Sequence, residues 1–186
     1  MDLQGWDQHY RAERATAAAP SPLFIAAAQA LPPGRALDLA CGSGRHALWL
    51  AQHGWQVTAV DGSPAAIALL QASAERLGIS IHARVADLEK GEFKIEPARW
   101  ELIASCYYLQ RDLIEPIKKG LTPGEGLVPG GVAIVIALLA KSPYRARPGE
   151  LRDWFNGWEI LLDREGPDPS GHEVAAIAAR KRMRGK

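Results

Sequence analysis

Ala36-Leu37-Asp38-Leu39-Ala40-Cys41-Gly42-Ser43-Gly44-Arg45-His46-Ala47 reads as an apolar strand that passes through a glycine-rich turn into a helix. Residues 36–40 are apolar apart from Asp38, and residues 44–53 carry a helical pattern that Gly54 ends with a left-handed stop. Gly42 and Gly44 permit tight turning and let a ligand approach the backbone closely. The helix that follows offers unpaired N–H groups at its start.

The same alternation continues downstream. Residues 56–60 are a second strand, rich in β-branched side chains. Ser63 as N-cap, Pro64 at the first helical position and Gly78 at the stop bracket the clearest helix of the chain. Ile67, Leu70, Ala74 and Leu77 line its apolar face. Residues 79–85, 100–105 and 132–139 read as three further strands, the last apolar throughout, as befits a strand covered on both faces. The helical pattern over residues 109–119 contains Pro116, which kinks or shortens it. Residues 149–155 form a short helix, and residues 158–164 and 173–180 two closing strands. The turn-rich segment 166–171 between them is a hairpin loop. Alternating strands and helices predict a parallel α/β sheet. A hairpin ending, however, differs from that of a typical dinucleotide-binding sheet. Leu121-Thr122-Pro123-Gly124 and Leu127-Val128-Pro129-Gly130 echo each other and read as a lengthened surface loop.

The 186 residues predict a single domain with ordinary globular composition, 47% hydrophobic and 23% charged. A net charge of +1 gives a polyanion no electrostatic advantage, and the basic end, residues 180–186, reads as a solvated tail. No apolar run of signal-peptide length opens the chain, and its most apolar stretch, residues 132–140, is too short to span a bilayer. Two cysteines, Cys41 and Cys106, make neither a disulfide framework nor, alone, a four-ligand zinc site. They are expected as small residues filling tight space. The expectation is a cytoplasmic protein with no nucleic-acid or membrane partner and no metal; monomer and homodimer both stay open.

The glycine loop alone does not choose its ligand. Gly42-x-Gly44-x-x-Ala47 also satisfies the dinucleotide fingerprint, and Asp61 stands where the ribose of NAD would be held. Asp38 separates the readings. A carboxylate at the mouth of the first strand would face the pyrophosphate of NAD, a like-charge contact costly in a partly dry site. S-adenosylmethionine carries no phosphate and presents two cations, a sulfonium and an ammonium. Asp61, followed by Gly62-Ser63-Pro64, is placed to accept both ribose hydroxyls, and Asp87, after the third strand, to accept from an adenine amino group. Turn formation and helix capping are the competing uses of these two residues.

Leu37-Asp38-Leu39-Ala40-Cys41-Gly42-Ser43-Gly44-Arg45-His46, followed by Val60-Asp61-Gly62-Ser63-Pro64, resembles the first two motifs of class I S-adenosylmethionine-dependent methyltransferases. Other segments are similar to the small bacterial TehB-like (tellurite-resistance) and thiopurine-methyltransferase-like group. They are Trp6-Asp7-x-x-Tyr10, Tyr108-Leu109-Gln110-Arg111-Asp112-Leu113, Pro129-Gly130-Gly131, Arg147-Pro148-Gly149-Glu150-Leu151 and Trp158-Glu159-Ile160. The resemblance implies a Rossmann-like αβα sandwich with a mostly parallel seven-stranded sheet, order 3-2-1-4-5-7-6, strand seven antiparallel. One methyltransferase domain over residues 1–186 would comprise an N-terminal lid (1–30), cofactor-binding βα units (35–140) and a closing helix and hairpin (149–181). It further implies that Asp38, Gly42 and Gly44 hold the methionine end of the cofactor, with Ala40, Cys41, Arg45 and His46 as further cofactor-binding residues. Asp61 and Gly62 would hold the ribose, and Ala86, Asp87 and Leu88 the adenine. Ser105 and Cys106 would line the floor, and Trp6 and Tyr10 would belong to the lid. The chain departs from the group in its long 119–131 segment and its alanine-rich residues 12–22.

Methyl transfer from a sulfonium is an in-line displacement in which orientation supplies roughly 7–11 kcal/mol. A soft acceptor therefore needs no dedicated base. Tyr108 is the candidate to orient an acceptor or exchange its proton, and Arg111 to grip an anionic one; Tyr107 is expected nearby. His46 and Trp49 are expected to pack in the interior. Ser105-Cys106-Tyr107-Tyr108 is not the Asn/Asp-Pro-Pro-Tyr/Phe pattern of enzymes that methylate exocyclic amino groups of bases. No acidic cluster of the kind that binds Mg²⁺ is evident. The expected activity is methyl transfer to a small-molecule acceptor, a thiol or a metalloid species of the selenite or tellurite type, with S-adenosylhomocysteine as product. The alternatives are a non-catalytic S-adenosylmethionine-binding protein and an NAD-dependent oxidoreductase.

Overall fold

The computed structural model describes residues 2–12, 18–140 and 145–182. Residues 13–17 of the alanine-rich 12–22 segment and the last four residues of the basic end lie outside the described residues. The elements follow in the order α1 (Leu3–Ala12), α2 (Pro22–Ala28), β1 (Arg35–Leu39), α3 (Arg45–Gln52), β2 (Gln56–Asp61), α4 (Pro64–Leu77), β3 (His82–Val85) and β4 (Leu102–Cys106). Then come α5 (Ile114–Gly120), β5 (Val132–Leu138), α6 (Glu150–Trp154), β6 (Glu159–Pro167) and β7 (Glu173–Arg180). The seven strands are ordered β3-β2-β1-β4-β5-β7-β6, as the resemblance implied.

Two compact units divide the chain, one of Met1–Ser21 and Pro33–Lys94, the other of Pro22–Pro32 and Ile95–Lys186. In the first, β1 pairs parallel with β2, from Arg35↔Gln56 to Leu39↔Val60, and β2 pairs parallel with β3 as far as Asp61↔Val85. This register brings the strand ends that carry Asp38 and Asp61 to one edge of the unit. Leu37, Leu39, Leu50, Val60 and Leu70 are fully buried and form its core. The Ser63 hydroxyl caps α4 by accepting from the Ala66 amide (3.1 Å), with Pro64 at the first helical position. Gly78 closes the helix at φ 65°, and the Ile79 amide returns to the Ala74 carbonyl. This closing turn absorbs the start of the strand read over residues 79–85, so β3 begins only at His82.

In the second unit β4 pairs parallel with β5, while β7 runs antiparallel between β5 and β6. β5 is buried along nearly all its length, as its uniformly apolar sequence requires. The helix read over residues 109–119 is a 3₁₀ turn, Arg111–Leu113, leading into a shorter α5. Pro116 falls in the first turn of α5, where its missing N–H has no intrahelical partner to lose.

β6 runs on to Pro167, past the expected end at residue 164, and narrows the hairpin loop to residues 168–172. Arg180 and Lys181 differ from the expected solvated tail. Arg180 pairs with Glu159 (3.2 Å), and the Lys181 ammonium donates to the carbonyls of Lys118 (2.8 Å) and Leu121 (2.9 Å). The 119–131 segment is thereby tied down, and a Cβ on Gly131 would lie 2.6 Å from the Trp100 carbonyl oxygen. Among the described residues no helix is long and apolar enough to cross a membrane.

Candidate functional site

In the first unit the chain leaves β1 through three left-handed residues, Ala40 (φ 52°), Gly42 (56°) and Gly44 (86°). Glycine takes this conformation without strain, whereas alanine does so at a cost on the order of 1–2 kcal/mol. The Cys41 amide, between them, donates to the Val60 carbonyl at the end of β2 (3.1 Å). Strain of this kind concentrates at ligand sites.

Asp38 lies fully inside the fold beneath this turn. The Ala47 amide donates to its carboxyl, yet Oδ2 has no hydrogen-bond partner. Burial, reinforced by the neighbouring Asp61, raises its pKa to about 7, with the Arg45 charge pulling the other way. Asp61 is more accessible and better served. Its Oδ2 accepts from the Gly42 amide (2.8 Å), its Oδ1 from the Ser63 amide (2.9 Å), and the Gly62 amide adds a third bond. Burial still leaves its pKa raised. Asp87 caps the turn after β3. Its Oδ1 accepts from the amides of Glu89 (3.0 Å) and Lys90 (3.3 Å), and the Lys90 side chain, the first cause, holds its pKa down. Ala86 and Leu88 on either side are buried.

Helix α1 lies over the glycine turn. A Cβ on Gly42 would collide with the Tyr10 hydroxyl, and one on Gly62 would come within 2.7 Å of Leu3. Trp6 stacks on Tyr10 at 6.0 Å and stays exposed. His46 is buried, and its Nε2 accepts from the Ser21 amide (3.2 Å). Burial first, then Arg45, lowers its pKa to about 3, so the ring is neutral. Trp49, expected in the core, is half-buried and stacks on His53 at 3.9 Å. Cys41 is a buried free thiol whose pKa burial pushes well up.

The second unit gathers its polar groups after β4. Cys106 is buried, and the Ser105 hydroxyl donates to the Tyr108 carbonyl (3.2 Å). Tyr107 is left-handed (φ 62°), and its hydroxyl donates to Asp168 (3.0 Å). The buried Asp168 carboxylate also accepts from the amides of Ser170 (2.8 Å) and His172 (3.0 Å), which sets the hairpin tip. The Tyr108 hydroxyl donates to Gln110 (2.6 Å). Arg111 grips a carboxylate bidentately, but one inside the protein. Its Nε and Nη2 reach the two oxygens of Glu150 at 2.8 and 3.0 Å, and Nη2 also reaches the Arg145 carbonyl at 3.0 Å. Glu150 is buried and held at a pKa of about 2, chiefly by Arg111.

Three working carboxylates, Asp7, Glu150 and Asp168, escaped the sequence reading of the site. Asp7 stands beside Trp6 in its motif, and Glu150 inside the Arg147–Leu151 motif. Asp168 sits among residues that signal only a turn. Among the described residues no group of three or more His, Cys, Asp or Glu could hold a metal ion.

The family model of tellurite resistance protein TehB matches residues 6–172. The chain belongs to the TehB family. A curated relative from Haemophilus influenzae, named a probable S-adenosyl-L-methionine-dependent methyltransferase TehB, is 24% identical over 179 residues. That match takes in 85% of this chain and 61% of the relative, so the TehB-family chain spans about three fifths of that protein's length. The crystal structure of TehB from Haemophilus influenzae superposes with a TM-score of 0.73 at 23% identity, covering 95% of this chain and 67% of that one. A Burkholderia thailandensis 1,6-didemethyltoxoflavin-N1-methyltransferase, solved with bound 1,6-didemethyltoxoflavin and S-adenosylhomocysteine, gives a TM-score of 0.66 at 20% identity, over 97% and 84% of the two chains. At these identities the two structures show only that this TehB-family member shares their Rossmann-like fold.

Proposed function

We propose that this chain is a cytoplasmic S-adenosylmethionine-dependent methyltransferase acting on a small-molecule acceptor, a thiol or a selenite- or tellurite-type species, with residues 1–186 constituting one methyltransferase domain. The observation that carries the reading is the orphaned Oδ2 of Asp38, buried below the Gly42 turn. A buried carboxylate oxygen without a partner costs free energy that a cation recovers. The pyrophosphate of NAD would instead meet two carboxylates, Asp38 and Asp61. The donor set therefore fits S-adenosylmethionine, and the curated relative's name agrees with it.

When bound, S-adenosylmethionine supplies an electrophilic methyl group on its sulfonium. The chain's part is to hold and orient. Asp38 receives the ammonium, with Ala40, Cys41, Gly42, Gly44, Arg45 and His46 shaping the turn around the methionine end. Asp61, whose carboxylate offers about four acceptor positions and has three amides bound, retains capacity for a ribose hydroxyl. Gly62 lets the backbone approach, and Ala86, Asp87 and Leu88 form the adenine side. Trp6 and Tyr10 cover the turn. Ser105, Cys106 and Tyr108 serve the acceptor side, with Arg111 a fixed positive charge whose fork is held by Glu150. Membership of a family described by tellurite resistance, and a soft acceptor's independence of a dedicated base, support the metalloid or thiol acceptor.

Calorimetric titration with S-adenosylhomocysteine, with NAD as control, tests the cofactor. Release of S-adenosylhomocysteine in the presence of thiol, selenite or tellurite tests turnover. Binding of NAD alone would sink the reading. Tight binding of S-adenosylhomocysteine with no acceptor methylated would make the chain a sensor instead of an enzyme.

A further inference from the structure

Helix α1 has no buried residue, and Leu3 and Trp6 are exposed on it. Apolar burial is thus a poor account of why α1 lies over the glycine turn. Asp7 supplies a specific one. Its Oδ1 accepts from the Ser63 hydroxyl at 2.7 Å and from the Ala65 amide at 3.0 Å, at the start of α4. Its Oδ2 accepts from Arg11 at 2.7 Å, on the same helix.

Ser63 is the shared member of a longer chain. Its hydroxyl caps α4 at the Ala66 amide, and its own amide donates to Asp61 Oδ1, whose other oxygen holds the Gly42 amide. A continuous series of hydrogen bonds therefore runs from α1 through Ser63 and Asp61 to the glycine turn. Tyr10, one helical turn beyond Asp7, packs its hydroxyl on that same Gly42. The helix N-terminus favours a negative charge at Asp7, and these bonds hold its carboxyl down at a pKa of about 2.

We propose that Asp7 is a positioning residue of the cofactor site: by docking α1 on the start of α4 it fixes Tyr10 against Gly42 and sets how long the bound cofactor is retained. The proposal rests on the S-adenosylmethionine reading above. A ligand held under a docked helix leaves only when that helix lifts, so weakening the dock raises the dissociation rate.

The test compares the full chain with Asp7→Ala, Asp7→Asn and Arg11→Ala. Amide hydrogen exchange over α1 is followed in the free protein, and dissociation of S-adenosylhomocysteine by stopped flow. The expected result for Asp7→Ala is lost protection in α1 and a dissociation rate raised about tenfold. Asp7→Asn, which keeps an acceptor oxygen, is expected to recover part of both. Arg11→Ala touches Asp7 but not α4 and is expected to leave the dissociation rate unchanged.

Unchanged protection in Asp7→Ala would overturn the docking role. Lost protection with an unchanged dissociation rate would overturn the role in retention. If the unsubstituted chain binds no S-adenosylhomocysteine, the cofactor reading fails by itself. The exchange data would then assign Asp7 to the fold alone, which also overturns the proposal.

Discussion

The Asp61 carboxylate accepts the Gly42 amide at 2.8 Å, joining the end of β2 to the turn that leaves β1. One acidic side chain thereby orders the backbone of the glycine turn, and its remaining acceptor position is the one proposed for the ribose. Its distance from Gly42 in sequence is 19 residues, so the bond exists only once β1 and β2 have paired in register.

Asp61→Ala removes the acceptor for three amides and for the ribose together. Hydrogen bonds to a charged group are worth about 1.5–3 kcal/mol each, so S-adenosylhomocysteine affinity is expected to fall at least about tenfold. Asp61→Asn keeps one acceptor oxygen and is expected to lose less. Titration of both variants checks this, and wild-type affinity in Asp61→Ala would remove Asp61 from the cofactor site.

Gly42 and Gly78 make a matched pair, both left-handed, at φ 56° and 65°. A Cβ at Gly78 meets nothing within 4 Å, while one at Gly42 strikes the Tyr10 hydroxyl. Gly78→Ala is therefore expected to cost only the left-handed strain, about 1–2 kcal/mol, with cofactor binding intact. Gly42→Ala adds displacement of Tyr10 and is expected to abolish measurable binding. Equal binding losses in the two variants would show that the Tyr10 contact does not matter to the ligand.

The sheet was legible because its signals are local. Apolar strands, a capped helix over 63–78 and a turn-rich hairpin each announce themselves within their own short stretch of sequence. The misread boundaries fall where two local rules compete. At residues 79–81 the closing turn of α4 takes backbone that could have entered β3, and at 109–113 the position of Pro116 delays the start of α5. The arrangement of the glycine turn was legible as well: Asp38 is the acid inside the strand, and Gly42 the glycine after it, bonded to Asp61. The partners of Arg111 and Tyr107 were not. Glu150 lies 39 residues from Arg111 and Asp168 lies 61 from Tyr107, and no spacing rule foretells which distant carboxylate will meet a donor.

Glu150 is buried, yet Arg111, its first partner, is a little over a third exposed. Solvent screening therefore discounts the pair. Glu150→Ala is expected to destabilise by about 1–3 kcal/mol, through two charge-assisted bonds from Arg111 and one from the Arg147 amide. The depressed pKa of about 2 gives the sign of the pH effect. This stability is present above the ordinary glutamate range and is lost as pH falls through that range toward 2. Denaturant melts of the wild type and Glu150→Ala should converge at low pH. A constant difference from pH 7 to pH 3 would rule out the ion pair as its source.

Asp38 carries the opposite sign. Its pKa in the folded protein is about 7, above that of an unfolded aspartate, because burial and Asp61 disfavour its charge. The contribution of the protonated carboxyl is complete below the unfolded value of 3.8 and is lost by about pH 7, so the free protein should lose stability from about pH 4 to pH 7 and change little above it. Asp38→Asn cannot ionise and should flatten that slope. Ligand binding reverses the preference, because an ammonium beside Oδ2 favours the ionised form. S-adenosylhomocysteine should therefore bind more tightly at pH 8 than at pH 6, releasing a proton near neutrality. Calorimetry in phosphate and in Tris reads that proton from the difference in apparent enthalpy, and Asp38→Asn should both bind weakly and release none. Affinity independent of pH in the wild type, with no buffer-dependent heat, would mean that the ammonium is held elsewhere.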